Sequence, residues 1–568
     1  MNTIPMPLKP TSHRTIIQRL CPVGALLLSL LLAACAKQGY PEGGPVDRTP
    51  PEVLSTLPES GTRNFSEKEF SIIMDEYVNI KDANNNILVS PPMKEKPEYI
   101  VRGRKIVVRI NDTLLPNTTY LFQFKGGIVD FNEGNALPSF EYVFSTGNEI
   151  DSMTIQGQVL DAFTLKPSKE TVSVLAYVDT VDDSCVVNGQ PLYYTRCDTA
   201  GLFAFNHMRP GSYRVVAFVD ADRNLQLAPS EPVAFLGPES GQTIKAESEQ
   251  TVNGDQPVRF YLSQKNIEVQ RVDKSLFVST GHFQITTKQP LSSLYRLQHL
   301  MADTSLQLYP YLGAKGDTLD CWLSIGSLDS VVVVLSDTNF TDTLRLRQTY
   351  SKRQDSSKEP YKQLTVKGPT ASLHHYYDTL RLSLSNPVHQ LDTTLWVIVM
   401  NQADSTMDSC RVHLGLAQDS GVTATRTAQV LFAGSPGSKY HFTLPEGLFT
   451  DIYGNKSDSL SFTSQYSKQE DYGTISLTIE SERSPLLVQL LNEKGDAVRQ
   501  ESLAKAGKVS FIHLREGKYT FRLVVDANGD GQWTPGDYWE HRQPEEVIYM
   551  EKVLDLRANW EITERFHW

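Results

Sequence analysis

The chain has 568 residues, 40% apolar and 21% charged, with 35 Gly and 31 Pro, a composition that excludes a disordered or fibrous polymer. At ~100–150 residues per module the length implies four or five domains. A formal charge of −12 at pH 7 supplies no broad attraction for a phosphate backbone, so nucleic acid is not an expected partner.

Residues 1–34 carry Lys9, Arg14 and Arg19 with no acid, then an apolar run from Val23 to Leu32. A basic stretch before a short apolar one reads as an export signal, below the ~20 residues of a membrane span. Leu32-Ala33-Ala34-Cys35 resembles the lipobox of bacterial lipoproteins. That resemblance implies removal of 1–34, lipidation of Cys35 and attachment to the outer membrane through the lipid, with periplasmic and outward-facing orientations both open. Cleavage removes three basic side chains and no acidic one, taking the net charge from −12 to −15. The lipid is then the expected anchor, because no basic patch assists it. Residues 35–49, with Gly39 to Pro45 at their centre, read as an extended tether.

From Pro50 the pattern turns to short alternating segments such as 70–74 and 105–110, bounded by turn residues. The expected class is all-β, with several sandwiches in series. Pro116, Tyr120, Phe122, Gly127, Gly134 and Asn135 recur 320 residues later as Pro436, Tyr440, Phe442, Gly447, Gly454 and Asn455. Phe205, His207, Arg209, Gly211, Tyr213, Val219, Asp220 and Ala221 recur 306 residues later as Phe511, His513, Arg515, Gly517, Tyr519, Val525, Asp526 and Ala527. A two-domain order is repeated. Asp130 and Asp451 sit one position out of step, so no shared role is expected for them.

Pro50-Pro51-Glu52-Val53, Leu115 to Tyr120 and Phe144-Ser145-Thr146-Gly147 resemble the bacterial Ig-like domain of the SbsA type. Gly201-Leu202-Phe203, Arg209-Pro210-Gly211 and Tyr213-Arg214-Val215 look like the transthyretin-like, carboxypeptidase-regulatory type of sandwich. The order is similar to a family of Ig-like lipoproteins of Bacteroidota envelopes, over residues 32–235 and again over 430–568. These resemblances imply an Ig-like domain at 50–148, a transthyretin-like sandwich at 151–236, a second Ig-like domain at 365–465 and a second transthyretin-like domain at 472–568. Strand signals place a further sandwich at 266–350, and the polar stretch 351–360 reads as a linker.

Among the cysteines, Cys185 and Cys197 flank a predicted hairpin and form a candidate disulfide, while no close CxxC pair suggests zinc. Asp526, Asn528, Asp530, Gln532 and Asp537, with Gly531 at the sixth position, have the oxygen spacing of a calcium loop on a strand-flanked turn. The same residues also fit a tight turn capped by its own side chains. Asp220, Asp222, Asn224, Gln226 and Glu231 form a degenerate copy with Leu225 where glycine is wanted, and this copy reads as vestigial. His207 and His513 lack companion ligands and read as structural, and His374-His375-Tyr376-Tyr377 reads as a strand or loop lining. Asp112-Thr113-Leu114, Asp317-Thr318-Leu319, Asp342-Thr343-Leu344, Asp378-Thr379-Leu380 and Asp458-Ser459-Leu460 resemble an O-glycosylation motif of exported Bacteroidota proteins, and equally fit turn-to-strand junctions.

No catalytic motif stands at a usable place. The expected function is a non-enzymatic envelope module that binds or scaffolds proteins or glycans. The rival is an enzyme, or an enzyme accessory, acting on envelope or extracellular glycans, which would need paired carboxylates in a groove.

Overall fold

The computed structural model describes residues 47–237, 243–248, 258–265, 269–301, 305–325, 328, 330–338, 340–348, 363–415 and 424–568. The expected leader, Cys35 and the linker at 351–360 lie outside the described residues. Among the described residues are 42 strands, two four-residue helices and one 3-10 turn, so the chain is all-β. No helix among them is long and apolar enough to cross a membrane. The chain separates into two compact units, Met1–Ile150 and Asp151–Trp568.

In the first unit, alternation along Glu69–Met74 and Lys105–Arg109 sends Phe70, Ile72, Met74, Ile106 and Val108 into one core. These strands pair antiparallel, Phe70 opposite Val108 and Ile72 opposite Ile106, between Val53–Leu57 on one side and Glu98–Arg102 on the other. The facing sheet of Ile87–Ser90, Thr119–Phe124 and Phe140–Ser145 supplies Tyr120, Phe122, Phe124, Tyr142 and Phe144. Across the gap the rings of Phe70 and Tyr142 stack at 3.8 Å. Burying each such ring is worth about 2–3 kcal/mol, which makes this aromatic layer the main support of the sandwich.

Four sandwiches follow in the second unit. In the first, Met153–Asp161 pairs antiparallel with Leu202–Met208 and parallel with Val258–Leu262. The sandwich therefore runs past the expected end at 236. Its return strand needs the long connection that any parallel pairing requires, and that separation hid it in the sequence. The last sandwich repeats the plan, with Tyr472–Glu480 antiparallel to Lys508–Arg515 and parallel to Glu561–His567. Between them, described strands between 272 and 347 form two sheets around Phe283, Ile285, Cys321, Val331 and Val333. Strands between 366 and 466 form one continuous curled sheet around Leu382, Val399, Phe442 and Phe449.

Both repeats are visible in hydrogen bonds. The Leu115 N–H donates to Tyr120 Oη (2.8 Å), as the Ser435 N–H does to Tyr440 Oη (3.1 Å). Tyr213 Oη donates to Arg209 O (2.9 Å), as Tyr519 Oη does to Arg515 O (2.8 Å). Asp130 and Asp451 do share a role, contrary to the sequence expectation. Asp130 accepts from the N–H groups of Glu133, Gly134 and Asn135, and Asp451 from those of Tyr453 and Asn455. The second turn is one residue shorter, and each carboxylate caps its own turn.

Candidate functional site

The chemistry-bearing residues gather where the repeated sandwiches bend and meet. His207 and His513 each stand at a β-bulge, where the register skips between Met153 and Ile155 and between Gly473 and Ile475. Their φ values are 58° and 56°, the left-handed conformation that lets a bulge absorb an extra residue. His207 Nδ1 lies 3.1 Å from Asp151 O. His513 Nε2 lies 3.0 Å from Tyr376 Oη, and its ring stacks on Tyr377 at 4.0 Å. His375 bonds the Tyr472 hydroxyl. The histidine–tyrosine run therefore joins the 366–466 sheet to the last sandwich.

At the end of Gly517–Val525 the chain enters the candidate calcium turn. Asp526 Oδ1 accepts from the Asp530 N–H (3.0 Å) and Oδ2 from the Gly531 N–H (2.9 Å). Asn528 Oδ1 accepts from the Asp530 N–H (2.9 Å), and Asp530 Oδ1 from the Gln532 N–H (2.8 Å). Gly529 and Gly531 have φ of 70° and 73°. The structure brings Asp526, Asn528, Asp530 and Gln532 into one turn but sends Asp537 elsewhere. Its carboxylate pairs with Lys265 and accepts from the Trp539 N–H (3.0 Å). Burial alone would raise the Asp537 carboxyl, yet the Lys265 ammonium and the Glu540 and Trp539 N–H groups hold it below the usual carboxylate range.

Glu545 takes the place expected of Asp537. In the first copy Glu231 accepts from the Ala221 N–H (3.0 Å) and the Ala228 N–H (2.9 Å). The equivalent donors of the second copy, Ala527 and Thr534, bond Glu545. Ten residues, 535–544, stand where the first copy has only Pro229 and Ser230, so the constant offset fails beyond Thr534. Burial raises the carboxyls of Asp220 and Glu545. Among the described residues, Asp220, Asp222 and Glu231 are the acidic group whose oxygens lie within 4.8 Å of one another. The copy read as vestigial is thus the one that converges.

The extra residues form a hairpin that docks on the sandwich of 151–265. The Gly536 N–H donates to Ser263 Oγ (3.0 Å), and Gln543 Nε2 to Phe235 O (3.1 Å). Tyr538 packs edge-on against Phe235 at 5.2 Å, and His541 Nε2 lies 3.0 Å from Asp183. Beside the hairpin, Arg522 sits 4.0 Å over the Phe163 ring. No motif announced this contact.

Cys185 and Cys197 are not bridged, which corrects the expected disulfide. Cys185 opens the helix Cys185–Asn188 near Tyr177 and Arg214, and burial pushes its thiol up. Cys197 packs on the core with Val174, Ala176, Tyr213 and Val215. Those core residues alternate with Tyr177 and Arg214 along paired strands, so the sheet separates the two thiols. In the Asp-Ser/Thr-Leu segments, Thr113, Thr343, Thr379 and Ser459 are exposed and Thr318 is half-buried.

Residues 47–146 match the family model described as a bacterial Ig-like domain. No curated protein matches the chain. Among solved structures, the Bacillus anthracis TIE protein aligns at 8% identity over 96% of this chain and 78% of its own, with a TM-score of 0.13. The surface layer protein SbsC, domains 1-6, aligns at 10% identity over 95% and 70%, TM-score 0.13. BcpA, the major pilin subunit of Bacillus cereus, aligns at 9% identity over 73% and 99%, TM-score 0.14.

Proposed function

We propose that the chain is a non-enzymatic scaffold of the bacterial cell envelope, a lipoprotein held at the outer membrane through Cys35 that presents its sandwiches to envelope proteins or glycans. The observation that carries this reading is the interlocked second unit, in which the 535–544 hairpin fastens the last sandwich to the first. Sandwiches tied in this way hold their exposed loops at fixed spacings, which suits recognition by contact. The bacterial Ig-like match at 47–146 and the lipobox before it support the same reading.

Replacing Cys35 by Ala is expected to move the protein from the membrane to the soluble fraction; retention in the membrane would overturn the anchoring. Affinity capture of the lipidated chain from solubilised envelopes is expected to return a stoichiometric partner or glycan, and capture of the chain alone would overturn the scaffold role. A calcium ion at Asp526, Asn528, Asp530 and Gln532 belongs to this reading as a structural brace of the last sandwich, without Asp537. The oxygen-rich side chains of that turn suit a hard cation. Binding to the folded form alone would add about 2.7 kcal/mol at a hundredfold excess over Kd. A melting temperature unchanged between millimolar calcium and chelator would remove the ion from the account.

A further inference from the structure

The sandwich of 272–347 meets the 366–466 sheet through a small cluster of Tyr309, Trp322 and Ala424. Tyr311 Oη donates to Ala424 O (2.9 Å) and Tyr453 Oη to Leu323 O (3.0 Å) across the contact. Beside it opens a cleft of about 330 Å³ to which both sandwiches contribute walls. That volume is at the small end of ligand sites, roughly 300–1,000 Å³, and suits a sugar unit or two.

The walls are cationic and hydroxylic. Arg426 and Lys367 line the cleft with Ser279, Thr280, Ser383 and Asn386, and no Asp or Glu is among the lining residues. This is notable in a chain with 66 acidic and 54 basic side chains. Arg426 is fixed in place: its guanidinium lies 4.2 Å over the Trp322 ring, and Nε donates to Leu384 O (3.2 Å). The same Trp322 ring carries the His282 imidazole at 3.9 Å and 7°. Among the described residues no carboxylate lies within ion-pair distance of Arg426 or Lys367. Asp320, the nearest acid in electrostatic effect, already accepts from His282 Nε2 (2.9 Å) and Gln284 Nε2 (3.2 Å). Burial draws the Arg426 guanidinium down from its ordinary value. A half-buried, immobilised cation with no directly paired carboxylate and only Asp320 acting on it from a distance costs free energy that an arriving anion would recover in part.

We infer that this cleft binds an acidic saccharide unit. A carboxylate or sulfate on the sugar would lie between the Arg426 fork and the Lys367 ammonium. The ring hydroxyls would exchange hydrogen bonds with Ser279 and Ser383, and with Thr280, whose hydroxyl already accepts from Gln348 Nε2 (3.1 Å), while the Asn386 amide is committed to the buried Asp451 (2.7 Å). Hydroxyl side chains around two cations favour a polyhydroxylated anion over an acidic peptide, which would present few hydroxyls to them. This inference rests on the binding reading above and names the ligand class for one of its surfaces.

The test is calorimetric titration of the full mature chain with four probes: a glucuronate-containing hyaluronan disaccharide, a sulfated chondroitin disaccharide, neutral lactose and hexa-aspartate. At least one acidic disaccharide is expected to bind, more weakly as salt is raised, and lactose and hexa-aspartate are not. Which acidic sugar binds distinguishes carboxylate from sulfate. Lys367→Glu, at an exposed position, is expected to weaken binding by about tenfold or more. Arg426→Gln should do the same, while Lys518→Ala on the last sandwich leaves binding unchanged. Silence of both acidic sugars, indifference to Lys367→Glu, or preference for hexa-aspartate would overturn the inference. The Cys35 fractionation and affinity capture would be untouched by that failure, so the two readings fail separately.

Discussion

At Arg223 and Leu225 the chain takes the left-handed conformation with side chains in place, φ 61° and 59°, whereas at the equivalent Gly529 and Gly531 it takes it without them. A non-glycine residue pays roughly 1–2 kcal/mol for that conformation. The turn keeps its shape in both copies because the preceding carboxylate holds it. Asp220 accepts from the N–H groups of Asn224 (3.0 Å) and Leu225 (3.2 Å), as Asp526 does from Asp530 and Gly531. Two bonds to a carboxylate contribute roughly 1.5–3 kcal/mol each, enough to outweigh the strain at Arg223 and Leu225. Capping, and not glycine, specifies this turn.

The copies differ most at the hairpin that only the second one carries, and its removal should have the largest effect. Tyr538 is 4% exposed and packs on Phe235, so Tyr538→Ala should cost about 3–5 kcal/mol, the range for an aromatic truncated in a core. The loss should be read as a lower urea midpoint of the full chain. The matched change in the first copy has no target, since Pro229 and Ser230 occupy the place of the hairpin. A midpoint unchanged by Tyr538→Ala would mean the hairpin does not fasten the two sandwiches.

Next in size is the cap itself. Asp526→Ala should cost about 3 kcal/mol by removing two charged hydrogen bonds, and Asp220→Ala less, because release of its turn also relieves the strain at Arg223 and Leu225. Equal losses would mean that Arg223 and Leu225 carry no strain for the cap to overcome. Acid should separate the copies again. Asp537 has a depressed carboxyl, so its contribution is complete above the unfolded value, near 3.9. It is lost as pH falls through the lower folded value. The unfolding midpoint of the unaltered chain should therefore drop more steeply below about pH 4 than that of Asp537→Asn, and parallel profiles would refute the Lys265 pairing.

The strands were legible because alternation along 69–74 and 105–109 states which face is buried. The repeats were legible wherever a constant offset holds, as at Tyr120 and Tyr440. Where insertions intervene the offset misleads: Asp537 falls opposite Glu231 by counting, and Glu545 by structure. Contacts between sandwiches leave no periodic trace, since Lys265 and Asp537 are separated by 272 positions. The cysteine pair failed for a different reason. Spacing along a hairpin says nothing about which face of the sheet each thiol occupies.

The smallest effect tests the difference between the two turns most directly. Leu225→Gly should relieve the left-handed strain of roughly 1–2 kcal/mol but give back about 0.4–1 kcal/mol through the freer unfolded chain, for a net gain of about 0.8 kcal/mol at mid-range. Gly531→Leu should lose a similar amount through the backbone, since the nearest atom to an added Cβ is Ser502 Oγ at 3.8 Å. The two changes exchange the residues of the copies at one position, so their midpoint shifts should be opposite in sign. If both lower the midpoint, Leu225 contributes packing that exceeds its strain, and the first turn is then held by its side chain as well as by Asp220.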